Sequence, residues 1–352
     1  MGSWGVVLVS ALELSRVVVD RGEFRLGPVG LRVPDGTATV LLGPSGAGKT
    51  TLLRAIAGFL PLSGGTIGVD GARVDSLPPE RRGFGFVPPD LGLFAQRTVL
   101  KNVRYPLDLT GDPDARAKAC RWVERFGLGP LADRFPSELS SGERQRVAMA
   151  RALAAGPRLL LWDEPLAALD VESRDVLLTL LRDLIESERI PLLLVTHDPA
   201  SARSLASRFV VLEGGRVRFD GPPELLSAGP LDRFTARFLG YENLFSREEL
   251  ASAEAAPLAS ALLSASGPDG VVVPAQAIAW ITGASGDGPS ARVVALRWTA
   301  GGWRVALQHG PLTFHADSSH DLPAVRVGDR VGLRVDLGAA KPLVSILPER
   351  SP

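Results

Sequence analysis

The chain has 352 residues, 45% of them hydrophobic and 22% charged, with a formal net charge of zero and one cysteine, Cys120. A balanced charge gives no general attraction to nucleic acid or anionic lipid, and a single cysteine excludes an internal disulfide and fits a reducing, cytoplasmic setting. No apolar run approaches the roughly 18–20 residues that span a bilayer, and the length favours two domains.

In chain order, VVLVS at residues 6–10 lacks a basic leader and reads as a first strand, not a signal peptide. ATVLLG, RLLLWDEP, IPLLLVTH and RFVVLEGG then read as buried strands. Longer amphipathic segments such as VESRDVLLTLLRDLIESE lie between the last three. That alternation predicts an α/β fold with a mostly parallel sheet flanked by helices. The turn after ATVLLG holds G-x-x-x-x-G-K-T from Gly43 to Thr50. Glycines there let backbone N–H groups curl around phosphate, so Gly43, Pro44, Ser45, Gly46, Ala47, Gly48, Lys49, Thr50 and Thr51 are candidate phosphate contacts. Lys49 adds a point charge, and the Thr50 hydroxyl suits Mg²⁺.

LSSGERQRVAMARAL, residues 139–153, is a small-residue turn opening onto a helix. Ser140, Ser141, Gly142 and Glu143 stand at its N-terminus, a second place suited to an anion. The same segment is also an amphipathic helix with Val147, Ala150 and Leu153 toward the core. LLLWDEP sets Asp163 and Glu164 at a strand end, where one carboxylate can hold a metal and the other polarise a water. LLLVTHD ends a later strand with His197, a candidate γ-phosphate contact. All three strand-end motifs fall at the carboxyl edge of one sheet, where such folds bind ligands.

The pattern changes after FLGYENLF, residues 238–245. An Ala-rich helical patch over about 247–265 precedes short β-type runs: VVVPAQ, ARVVALRW, WRVALQ, LTFHA, DRVGLRVD and PLVSIL. They predict a small all-β domain over 241–352, a five-stranded OB-type barrel. His309, His315 and His320 lie in it, at a spacing that fits no tight metal-ligand pattern.

Taken together and in this order, Gly43–Thr50, LSSGERQRVAMARAL, LLLWDEPLAALD and LLLVTHD resemble the nucleotide-binding subunit of an ABC transporter. The resemblance covers about residues 1–240, with the helical signature subdomain at about 84–158. It implies a P-loop NTPase fold that binds ATP and Mg²⁺. It also implies a homodimer in which the signature of one copy caps the γ-phosphate of ATP held by the other. In that scheme Asp163 supports Mg²⁺, Glu164 is the general base, His197 is the switch residue and Asp170 lies at the dimer seam.

The C-terminal part resembles the TOBE/MOP-type regulatory domain of bacterial importer ATPases, on GYENLF, VVVPAQAIAW and VRVGDRVGLRVD. That implies a peripheral protein at the cytoplasmic face of the inner membrane. Its partners are then transmembrane permease subunits, docking beside residues 89–107, and an extracytoplasmic substrate-binding protein, with no nucleic acid. The implied solute leans toward an oxyanion (molybdate, tungstate or sulfate) or ferric iron. A soluble ABC ATPase and a low-activity ligand-sensing cassette are the rival readings.

Three positions depart from the family pattern. Ser141 replaces the first Gly of Leu-Ser-Gly-Gly. Pro89 stands where the Q-loop, within residues 84–107, carries Gln, and Gln96 follows seven residues later. Near the first strands only Phe24 is offered as an adenine-stacking aromatic, with core packing as its alternative role.

Overall fold

A computed structural model describes residues 10–166, 169–198, 203–228, 231–253, 257–281, 289–299, 302–318 and 325–343. VVLVS apart from Ser10, Ala167, Ala168 and His320 lie outside the described residues. The chain divides into two compact units, residues 1–223 and 224–352. The sequence boundary near 240 differs from this division by a segment that includes the helix Arg233–Phe238.

The first unit contains β1 (Ser10–Arg21), β2 (Phe24–Pro34), β3 (Ala38–Leu42), β4 (Gly64–Val69), β5 (Ala72–Arg73), β6 (Phe84–Val87), β7 (Leu159–Asp163), β8 (Leu192–Thr196), β9 (Arg208–Glu213) and β10 (Arg216–Gly221). Its helices include α1 (Lys49–Ala57), α2 (Val99–Leu109), α3 (Ala115–Arg125), α4 (Ser141–Ala154) and α5 (Val171–Glu188). Six strands form a sheet in the order β10-β9-β3-β8-β7-β6. It is parallel from β9 to β6, with β10 antiparallel at one edge. Every residue of β3, β7 and β8 is buried, which is why these strands read as unbroken apolar runs.

A second, antiparallel sheet has the order β2-β1-β4-β5. The expectation of one mostly parallel sheet did not include it. Its first strand buries Leu12 and Leu14, then Val17 and Val19. The inward phase slips between those pairs, where the β1–β2 register shifts between Leu14 and Val17 and Arg16 takes a left-handed φ of 50°. A bulge of this kind breaks the two-residue period that announces a strand. The core between the sheets takes Leu52, Leu53 and Ile56 from α1 and Leu41, Leu161 and Val195 from the parallel strands.

β6 ends at Val87, and Pro88 and Pro89 follow, neither able to donate a ladder hydrogen bond. The turn beyond them is braced from two helices. Arg151 of α4 donates to the carbonyls of Leu91 and Gly92 at 2.7 and 2.6 Å. Fully buried Asn102 of α2 accepts from Phe94 N and donates to the carbonyls of Phe94 and Arg97.

The second unit contains β11 (Asn243–Phe245), β12 (Gly270–Val273), β13 (Ile278–Ile281), β14 (Ser290–Thr299), β15 (Gly302–His309), β16 (Leu312–Asp317), β17 (Arg330–Val335) and β18 (Lys341–Leu343). Five make an antiparallel sheet in the order β13-β17-β14-β15-β16, and three make a small sheet β11-β12-β18. The five-stranded sheet curls until its two edge strands, β13 and β16, lie beside each other. Short helices at Arg247–Ser252 and Pro257–Ser264 occupy the Ala-rich patch. Their Leu250 and Leu262 join Val271, Val293, Leu307 and Phe314 in the core of this unit.

Asn243 is buried and ties β11 to β16. Its Oδ1 accepts from His315 N at 2.6 Å, and its Nδ2 donates to His315 O at 2.8 Å. Asn243→Ala removes both bonds and leaves the part-buried backbone groups of His315 without these partners. The substitution should cost about 1–3 kcal/mol, read as a lower urea midpoint for the second unit and faster amide exchange at His315.

Candidate nucleotide site

The site grows from the end of β3. Its buried strand runs into Gly43, and α1 begins at Lys49. Gly43, Gly46 and Gly48 have φ of 154°, 81° and 101°, a region that side chains other than glycine enter at a cost. Two of them are also held by contact. A Cβ on Gly43 would lie 2.3 Å from the carbonyl oxygen of Leu212, and one on Gly48 would lie 3.0 Å from Cζ of Phe24. A Cβ on Gly46 would meet nothing within 4 Å, so this side of the loop faces open space.

Lys49 is buried at the start of α1, and its Nζ donates to the carbonyls of Gly43 and Pro44 at 2.7 and 3.0 Å. Burial lowers its ammonium below the ordinary lysine value, while Glu164 and Asp163 pull the other way. Its Nζ lies 3.9 Å from Glu164 Oε1. The adjacent Thr50 hydroxyl donates to Asp163 Oδ1 at 3.1 Å.

Asp163 closes β7 and is fully buried. Burial raises its carboxyl above the ordinary carboxylate value; the Thr50 hydrogen bond opposes this, and the Glu164 charge adds to it. Its second oxygen, Oδ2, has no hydrogen-bond partner. An orphaned, buried carboxylate oxygen beside a hydroxyl is the donor set a hard divalent cation such as Mg²⁺ takes. Glu164, next in sequence, sits at φ 53°, and its N–H is bound to the Val195 carbonyl at 2.9 Å. Glu164 Oε2 lies 2.9 Å from His197 Nδ1 at the end of β8.

Ser45, Gly46, Ala47, Gly48, Lys49, Thr50, Thr51 and Glu164 thus line one cavity of about 610 Å³, together with Arg21 and Phe24. The fold brings together the loop, Asp163, Glu164 and His197, as the strand-end reading expects. Phe24 is in the cavity wall and also packs on the core, so both of its candidate roles have a structural basis.

Ser140, Ser141, Gly142, Glu143 and Asp170 do not line this cavity; they gather separately. The Ser140 side chain caps α4 by accepting from Glu143 N, and Glu143 Oε2 accepts from Ser140 N at 2.7 Å. That backbone bond holds the Glu143 carboxyl below its usual value. Asp170 caps α5 by accepting from Ser173 N at 2.8 Å and Ser173 Oγ at 2.9 Å, and the same contacts lower its carboxyl. The two helix starts touch, since a Cβ on Gly142 would lie 3.1 Å from Ser173 Oγ.

Pro89 and Gln96 are exposed and outside the cavity wall. Sequence reading missed two features. Arg21 in the wall carries only the local signal of a tight R-G-E-F hairpin. Arg174 of α5 donates to Leu169 O at 3.3 Å and lies 3.7 Å from Asp198, joining the residue before Asp170 to the residue after His197. No spacing in the chain announces that link. His309 and His315 make separate bonds, to Ser290 O and Glu242, and His320 is not described.

The Asp163 environment has a sign that can be tested without ligand. A carboxyl raised on folding costs no stability below its unfolded value. It costs progressively more as pH rises through the raised folded value. In nucleotide-free protein Asp163→Asn should therefore melt at or above the wild type at pH 7, and the wild type should regain ground as pH falls toward the ordinary carboxylate value. Thermal melts across that range check it.

A family model described as ABC transporter matches residues 26–167. The chain is 43% identical over 222 residues to the sulfate/thiosulfate import ATP-binding protein CysA of Mycobacterium bovis, covering 62% of this chain and 63% of that protein. It thus spans less than two thirds of that relative's length. It is 41% identical over 238 residues to the ABC transporter ATP-binding protein YdcT of Escherichia coli K12, covering 67% of this chain and 71% of that protein. Among solved structures, the ATP-binding cassette MJ0796, a dimer in a post-hydrolysis state with ADP and Pi, aligns with a TM-score of 0.54 at 30% identity. That alignment covers 60% of this chain and 98% of that one. The chain belongs to the ATP-binding proteins of the ABC transporter family.

Proposed function

We propose that this chain is the ATP-hydrolysing subunit of a bacterial ABC importer, with residues up to about 240 as the cassette and the remainder as a TOBE/MOP-like OB-type regulatory domain. The observation that carries the reading is the convergence of Lys49, Thr50, Asp163, Glu164 and His197 on one sheet edge, with Asp163 Oδ2 unpaired. Lys49 exchanges its two carbonyl partners for β- and γ-phosphate oxygens, while the loop amides around Gly46 hold the rest of the chain of phosphates. Thr50 and Asp163 would hold Mg²⁺, which would supply positive charge beside the phosphates. Glu164, fixed by its backbone bond to Val195, accepts a proton from the attacking water. His197 bonds Glu164 through Nδ1 and serves the γ-phosphate by turning a ring N–H toward a phosphate oxygen. Phe24 provides the surface on which adenine stacks.

The signature cluster at Ser140–Glu143, with Asp170 beside it, acts on ATP held by a second copy, so hydrolysis needs a homodimer. The post-hydrolysis dimer of the related cassette supports this arrangement. Among the described residues no helix is long and apolar enough to cross a membrane. Coupling therefore runs through transmembrane permease partners, with the chain peripheral at the cytoplasmic face and a substrate-binding protein on the far side. The solute reading is an oxyanion such as sulfate, or ferric iron; the sulfate/thiosulfate relative supports the first.

Glu164→Gln tests the scheme. Hydrolysis per chain should rise with protein concentration in the wild type and fall at least about 100-fold in the variant, which should accumulate as an ATP-bound dimer on gel filtration. Undiminished hydrolysis in the variant would sink the assignment of the base.

A further inference from the structure

The second unit holds a cavity of about 410 Å³, lined by Arg237, Gly240, Tyr241, Glu242, Leu244 and His315. Its wall starts from a helix end. The helix Arg233–Phe238 closes on Gly240, which has φ 87°. Gly240 N–H donates to Arg237 O at 3.0 Å, and Tyr241 N–H donates to Ala236 O at 3.1 Å. That pair of bonds is the closure a glycine in the left-handed region permits, and it keeps Tyr241 beside the last turn, which carries Arg237. Two residues on, buried Asn243 clamps both backbone groups of His315 on β16. Backbone bonds thus fix the wall at both ends of the segment from Arg237 to Leu244.

The charges in this wall are unevenly paired. Glu242 has both oxygens engaged: Arg304 donates to Oε1 at 2.7 Å, and His315 Nδ1 lies 3.2 Å from Oε2. Arg304 also donates to Asp317 at 2.7 Å, so it already faces two carboxylates. Among the described residues the exposed Arg237 guanidinium makes no ion pair and no hydrogen bond. The Lys341 ammonium, 5.5 Å from the centroid of the Tyr241 ring, adds positive charge nearby. Tyr241 and the buried Leu244 supply apolar surface in the same wall. Small-molecule sites run from about 300 to 1,000 Å³, with apolar walls and a few polar groups that orient the ligand. A cavity of this size with one unpaired guanidinium suits an organic molecule with one anionic end. The planar fork of arginine matches a carboxylate through two parallel N–H···O bonds. An inorganic oxyanion would leave the Tyr241 and Leu244 surface uncovered.

We propose that this cavity binds a small organic carboxylate: Arg237 holds the carboxylate, and Tyr241 with Leu244 receives the apolar part. Glu242 does not compete for Arg237, because Arg304 and His315 occupy both of its oxygens. The site lies wholly within the second unit and does not rest on the reading of the nucleotide cavity.

The chain has two tyrosines, Tyr105 and Tyr241, so fluorine NMR of the full chain labelled with 3-fluorotyrosine reads this wall directly. Tyr105→Phe assigns the two signals. The probes are benzoate, phenylacetate and 4-hydroxybenzoate, with benzyl alcohol as the uncharged counterpart and sulfate as the inorganic anion. The carboxylates should move the Tyr241 signal saturably and leave Tyr105 in place, and benzyl alcohol should not saturate it. Arg237→Ala should weaken the carboxylates about 10-fold, and Arg237→Lys should weaken them less. An unmoved Tyr105 signal in these variants shows that the fold is kept. No saturable Tyr241 shift with any of the three carboxylates would overturn the proposal, as would a shift that Arg237→Ala leaves unchanged. Sulfate binding as tightly as benzoate would make the cavity an inorganic oxyanion site and overturn the carboxylate class.

Discussion

The burial of opposite charges at the carboxyl edge of the parallel sheet is the constraint on which the rest of the first unit depends. Lys49 and Asp163 are both buried, and desolvation pushes both toward neutrality. Ionised groups in such a place are costly unless paired. The chain meets the cost with small local partners: two loop carbonyls for Lys49, one hydroxyl for Asp163, and a looser contact between Lys49 and Glu164. None of these completes the set, since Asp163 Oδ2 stays unpaired. A group that donates to or coordinates that oxygen would complete the set.

Geometry follows from that demand. The charged groups converge because β3, β7 and β8 are parallel neighbours, so their carboxyl ends fall on one edge. The loop can wrap around a ligand because its glycines take conformations that a Cβ would block, either against Leu212 or against Phe24. Glu164 carries the same demand in its backbone. A non-glycine residue at φ 53° is strained, and the bond from its N–H to Val195 holds it there. Strain at that one residue aims a carboxylate at both His197 and Lys49.

Much of this was legible in the sequence, for physical reasons. Strands buried on both faces leave unbroken apolar runs, and a phosphate loop leaves glycines at fixed intervals, so ATVLLG and GPSGAGKTT announce β3 and its turn. VESRDVLLTLLRDLIESE maps onto α5 residue for residue. The antiparallel sheet was hidden because the bulge near Arg16 breaks the alternation of β1. β11 was hidden because three residues, Asn243–Phe245, are too few to show a period. Arg21 and the Arg174–Asp198 contact were hidden because a lone arginine has no spacing to read; only the folded chain says what it faces.

The departures from the family pattern also acquire physical meaning. Ser141 stands in the first turn of α4 without a positive φ, so a side chain there adds no backbone strain. Gly142 differs: its missing Cβ is what lets the start of α4 approach Ser173, and with it the cap made by Asp170. Of two adjacent small positions, the one that tolerates serine is the one whose conformation any residue can adopt, and the one that stays glycine is pressed against a neighbouring helix. The Ser140–Glu143 box uses the amides of those two residues and not those of Ser141 and Gly142. The first four N–H groups of a helix lack intrahelical partners, so these two remain as donors. An anion can therefore be taken at this helix start without breaking the cap that forms it. Pro89 fits the same logic from the other side. It follows β6 in a turn that Arg151 and Asn102 hold from neighbouring helices, so the turn is braced although proline brings neither a side-chain carbonyl nor an N–H.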